Sequence, residues 1–127
     1  MSDSPFKSKG GLGRLTGALR YSLQGLTAAL RHEAAFRQEL LLTAILTPLA
    51  FWLGRSPLEI AALLGTLVFV LILELINSAL EALADAITLE RHPLIGRAKD
   101  LGSAAVLLAL IFAGAVWLSF LYSRLLT

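Results

Sequence analysis

Apolar positions along the chain fall into four blocks separated by polar punctuation. Over about 12–32, Leu15, Leu19, Leu23, Leu26 and Leu30 recur at spacings of three and four, interrupted by Arg14, Arg20, Gln24 and Arg31. This is the pattern of a helix with one apolar stripe, and too few residues remain elsewhere to cover that stripe with protein. The prediction is therefore an amphipathic helix lying in a membrane interface. The second block, about 34–54, is uncharged from Leu40 to Leu53. It reaches spanning length only if Arg37, Gln38 and Glu39 belong to it, with their long side chains snorkelling or facing a polar site. Pro48 predicts a kink in its outer half. A turn follows at Gly54, Arg55, Ser56 and Pro57, and a third block, about 58–86, continues with helical periodicity through Glu74, Asn77, Glu81 and Asp85. The fourth, about 98–123, carries no charge from Leu101 to Ser123 and is the clearest transmembrane signal. Residues 1–11, with Lys7, Lys9, Gly10 and Gly11, read as a flexible polar leader ahead of a single membrane domain over 12–127, and not as a signal peptide.

The fold class predicted is an all-α membrane protein with an interfacial helix and three transmembrane helices. Composition agrees: 57% of the 127 residues are hydrophobic and mean hydropathy is +0.76, beyond the range of soluble domains. Three thin helices can hardly enclose a polar site alone, so a homo-oligomer is expected. The absence of cysteine excludes disulfides, thiolate metal sites and a cysteine nucleophile. The net charge of +2 matters less than its distribution. Lys7, Lys9, Arg14, Arg20, Arg31 and Arg37 precede the first span and Arg91, Arg97 and Lys99 lie in the second connection, against only Arg55 and Arg124 at the other ends. The positive-inside rule then puts the N-terminus and the loop at 87–98 in the cytoplasm and the C-terminus outside. Trp52, Trp117 and Tyr122 fall near the proposed outer ends, as interfacial aromatics do.

Glu74, Asn77, Ser78, Glu81 and Asp85 stand at i, i+3, i+4, i+7 and i+11, on one stripe of the third block. An ionised carboxylate facing lipid costs on the order of 2.5–3.5 kcal/mol, so the stripe must face protein, water or a cation. Amide and hydroxyl glue between helices would explain Asn77 and Ser78, but not several acids. Around the start of the first span lie Arg31, His32, Glu33, Arg37, Gln38 and Glu39. Glu33 could meet Glu81, and two carboxylates together with phosphate oxygens are a usual way to hold Mg²⁺. At the mouth of the last span, Lys99 offers a compact charge to phosphate and Gly102 permits close backbone approach. No phosphate loop, protein-kinase motif set or zinc-ligand spacing is present, and His32 and His92 read as interface residues. Nucleic-acid binding has no support.

Three runs, RHEAAFRQE at 31–39, ELINSALEALAD at 74–85 and GRAKDLGSAAV at 96–106, in this order and with these spacers, resemble the prokaryotic diacylglycerol kinase family of small trimeric membrane kinases. The resemblance implies phosphoryl transfer from Mg-ATP to membrane diacylglycerol by homotrimers whose active sites are shared between protomers, in the inner membrane. By position it implies Glu74 as general base, with Asn77 and Lys99 in the catalytic group. Glu33 and Glu81 match the metal-coordinating pair. Arg14, Tyr21, Glu33, Glu81, Glu90, His92, Lys99 and Asp100 match nucleotide contacts, although Arg91 followed by Pro93 departs from the family pattern. The segment from Ala35 through Arg37 and Gln38 to Glu39, with Glu74, Ser103 and Trp117, matches the lipid pocket. Two readings compete within membrane proteins: an undecaprenol kinase, which changes only the alcohol, and a small proton-coupled multidrug transporter using Glu74. A membrane assembly subunit without catalysis would need none of these acids.

Overall fold

The computed structural model describes residues 10–126; the leader lysines Lys7 and Lys9 lie outside them. Four helices account for nearly all of this stretch: α1 (Gly11–His32), α2 (Ala34–Leu53), α3 (Pro57–Ile87) and α4 (Pro93–Leu126). The last three are long and apolar enough to cross a bilayer. The chain divides into two units, one ending at Glu33 and one beginning at Ala34. In the first unit, α1 carries Leu12, Leu15, Leu19, Leu23, Leu26 and Leu30 as exposed side chains. It ends where Glu33 adopts an extended backbone while its N–H still donates to the Ala29 carbonyl.

In the second unit the starts of α3 and α4 have local causes. Ser56 caps α3 by accepting from the Glu59 N–H at 3.1 Å, Pro57 occupies the first helical position, and a Glu59 carboxylate oxygen accepts from the Arg55 N–H. Ser-Pro-Leu-Glu is thus a capping sequence in which the Ser56 side chain reaches forward to a helical N–H and the Glu59 side chain turns back on the incoming chain. Gly54 is required in the tight turn before it, because a Cβ there would lie 2.8 Å from the Ile60 nitrogen. α4 begins at Pro93, well before the expected start near 98, since the His92 ring Nδ1 accepts from the Leu94 N–H at 3.2 Å and Pro93 needs no N–H partner. The charged run through Arg97 and Lys99 hides this start in a hydropathy profile. α2 runs unbroken through Pro48.

α3 and α4 form the most extensive packing, with α2 laid mainly on α3. The α4 residues facing inward are Gly102, Val106, Ala109 and Ala113, one small or slender side chain per turn, which is how helices approach closely where lipid supplies no hydrophobic drive. Ala109 and Ala113 meet Val70, and nearer the first hairpin Ala50, Leu53 and Leu63 form a second cluster under Trp117 and Phe120. Trp117 is half-buried rather than outward-facing. Its indole N–H donates at 2.9 Å to the buried Thr66 hydroxyl, which itself donates to the Leu63 carbonyl, so the bond that satisfies the indole holds it inside the bundle. Trp52 and Tyr122 are exposed, as expected. Most other large apolar side chains on the three long helices are also exposed, the distribution expected of helices whose outer faces meet acyl chains or further copies.

Candidate functional site

The acid stripe of α3 turns toward its neighbours over its first two turns and emerges over its last. Glu74 is 5% exposed and Asn77 8%, Glu81 is partly covered, and Asp85 is half exposed. Opposite Glu74 on α2 stands Glu39, its carboxyl group beside that of Glu74. The second Glu39 carboxylate oxygen is buried without a partner. One turn along, Asn77 donates from its amide nitrogen to Glu81 at 3.1 Å, while its amide oxygen is buried and unpartnered. That oxygen lies against Gly102 of α4, where an added Cβ would collide with it. Glycine is therefore the residue that lets α4 pass over the Asn77 amide. A site flanked by two unpaired buried acceptors suits a ligand that brings donors, such as a hydroxyl or a hydrated cation.

Toward the α3–α4 connection the polarity changes sign. Lys99 Nζ pairs with Asp85 at 2.6 Å, so the last member of the stripe orients the lysine of the next helix. Glu90, His92, Lys99 and Asp100 line one open cavity of about 590 Å³ around this connection, which gathers four of the predicted nucleotide contacts. His92, between the Arg91 and Pro93 that depart from the family pattern, acts here as the α4 cap through its Nδ1, and its side chain is exposed.

A second cavity, of about 250 Å³, runs between α2, α3 and α4 from Glu39 to Trp117, with Leu46, Val70, Leu110 and Ala113 among its walls. It is apolar apart from its ends and Thr43, whose hydroxyl is spent on the Glu39 carbonyl. Of the expected lipid contacts, Glu39 and Trp117 line this cavity and Glu74 meets Glu39. Arg37 and Gln38 point to the exposed side of α2, and Ser103 is exposed beside Gly102. Ser103 and Trp117 are about 21 Å apart along α4 at 1.5 Å per residue. One small headgroup cannot touch both; Trp117 is within reach of an acyl chain only. Arg14, Tyr21 and Glu33 belong to the first unit, the first two exposed on α1 and Glu33 at its C-cap.

Among the described residues, no group of three or more His, Cys, Asp or Glu side chains gathers as a ready metal site. Glu81 nevertheless offers hard oxygen donors at the polar end. A cation held by one or two carboxylates must complete its shell with water and phosphate oxygens, which is how Mg²⁺ is commonly bound. The donor chemistry fits. The contacts that reading by segments missed are Glu39 to Glu74, Asp85 to Lys99 and Trp117 to Thr66. Each joins two helices, and only the Asp85 stripe position hinted at one of them.

Residues 20–121 match the family model for prokaryotic diacylglycerol kinase. The chain is 50% identical to the diacylglycerol kinase of Pseudomonas aeruginosa, covering 95% of this chain and 98% of that one. It is 50% identical to that of Haemophilus influenzae over 84% of this chain and 91% of the other, and 44% identical to that of Escherichia coli strain K12 over 90% and 93%. The relatives match nearly end to end, and the stripe, the α4 mouth and both cavities fall within the matched region. This multi-pass membrane chain belongs to the prokaryotic diacylglycerol kinase family, a family of lipid kinases.

Proposed function

We propose that the protein transfers the γ-phosphate of ATP to the hydroxyl of diacylglycerol in the inner membrane, with Glu74 as general base. The observation that carries this reading is the place of Glu74: buried, beside Glu39 at the end of an apolar cavity, and on one helix face with Asn77, Glu81 and Asp85 leading to the polar mouth. An alcohol whose chain lies in the cavity brings its hydroxyl to the carboxyl pair. The Glu74 carboxylate takes the proton the alcohol gives up. The buried acceptors on Glu39 and Asn77 orient the hydroxyl before transfer. Lys99, steadied by Asp85, neutralises charge on the transferring phosphoryl group. Glu90, His92 and Asp100 hold the nucleotide in the cavity of the connection, joined by Arg14 and Tyr21 of α1. Mg²⁺ would be held by Glu81 with Glu33; when bound it draws charge from the phosphate oxygens. The protein's own contribution is positioning and electrostatics, which is most of what this chemistry asks.

The α1 stripe of exposed leucines supports an interfacial position for that helix, in reach of nucleotide from the cytoplasm. The exposed apolar faces of α2, α3 and α4 support assembly into a homotrimer with shared sites. Diacylglycerol is preferred to undecaprenol because the relatives named above are diacylglycerol kinases. The test is radiolabelled ATP with purified protein in mixed micelles containing either alcohol, with and without Mg²⁺. Label in phosphatidic acid, dependent on Mg²⁺, is expected; transfer to undecaprenol alone would reassign the substrate, and no transfer to either would end the reading.

A further inference from the structure

At the end of the bundle away from Glu74, two cations share one pocket. Arg55 is the only basic residue between Arg37 and Arg91, and Arg124 the only one after Lys99. Although far apart in sequence, they line the same cavity of about 190 Å³ with Glu59, Ser119 and Ser123. Arg55 is anchored there: its guanidinium donates to the Ser123 carbonyl at 3.5 Å and its backbone N–H to Glu59. Arg124 lies over the Trp52 ring, 4.9 Å from its centre, a contact that employs the flat of the guanidinium and leaves its N–H edge for an anion. Glu59 is the only acid between Glu39 and Glu74, and none follows Asp100. Two guanidinium groups against one carboxylate leave one positive charge among the described residues of the pocket.

Trp52 and Tyr122 are exposed at this same end, which sets it at headgroup depth. An anion reaching a pocket on the flank of a spanning bundle at that depth comes from the bilayer. We propose that this pocket holds the phosphate of a phospholipid bearing a single negative charge, in the leaflet opposite the kinase site. The cation count matches one phosphodiester, and Arg is the side chain suited to grip its paired oxygens. A bound lipid there joins the α2–α3 hairpin to the last turn of α4.

The experiment uses the full chain in detergent, with phosphatidylglycerol, phosphatidylcholine or inorganic phosphate added at matched concentration, read by native mass spectrometry and thermal unfolding. Wild-type protein is expected to retain phosphatidylglycerol over phosphatidylcholine and to melt higher with it. Arg124→Gln lowers that retention about tenfold, the ratio that one lost charge-assisted contact corresponds to, and Arg124→Lys keeps part of it. Kinase turnover is unchanged in both. Equal retention of the two lipids by wild-type protein, or full retention in Arg124→Gln and in Arg55→Gln, overturns the proposal. So does an equal melting shift from inorganic phosphate, which would assign the pocket to a soluble anion.

Discussion

Glu74 illustrates what a single residue costs and does in this protein. An acid in an apolar helix is tolerated here because Glu74 is buried within the protein rather than turned to lipid, where an ionised carboxylate would be costly. Glu74→Gln keeps the shape and hydrogen-bonding capacity and removes the base. Turnover is expected to fall at least about 10²-fold, the usual contribution of general-base catalysis, with nucleotide binding retained; equilibrium binding beside the label-transfer assay separates the two. Asp85→Asn acts more gently. The Lys99–Asp85 pair is half exposed, and solvent-screened pairs of that kind contribute little. KM for ATP should rise by no more than about fivefold with kcat nearly unchanged; a collapse of kcat would mean that Asp85 does more than steady the lysine.

Among elements, the α3–α4 contact positions the site. Its closeness depends on Gly102, whose missing side chain makes room for the Asn77 amide. Gly102→Val should destabilise the protein by about 1–3 kcal/mol through overpacking, visible as a lower thermal midpoint in detergent, and should depress turnover by moving Asn77 relative to Glu74. Lower down, Thr66→Val leaves the part-buried Trp117 indole N–H without its acceptor, a loss of about 1 kcal/mol, the usual net worth of one hydrogen bond. Activity should survive that change at saturating lipid, because the carboxyl pair lies at the other end of the apolar cavity.

For the whole molecule, topology is accessible to direct measurement because the chain has no native cysteine. Single cysteines at Arg55 and at Glu90, reacted with an impermeant thiol reagent in sealed inverted vesicles, should label only at Glu90. Labelling at Arg55 alone would invert the orientation drawn from the basic residues. The detergent-corrected mass of the purified particle should correspond to three chains, and a monomeric mass with full activity would remove the shared-site arrangement.

Much of this was legible in the chain alone, for definite physical reasons. Three long helices follow from the need to satisfy every backbone group within lipid, and the acid stripe is visible because helical spacing puts Glu74, Asn77, Glu81 and Asp85 on one face whatever the neighbours do. The start of α4 was written in the sequence too, in His92 and Pro93, but the charges beyond it obscured a capping signal that hydropathy does not read. What tertiary structure alone decided is which side chains meet across helices: Glu39 with Glu74, Lys99 with Asp85, Trp117 with Thr66, and Arg55 with Arg124 in one pocket. Spacing along a helix gives a direction for each side chain and no partner. Partners depend on the register and separation of packed helices, which here turn on a few small residues of α4.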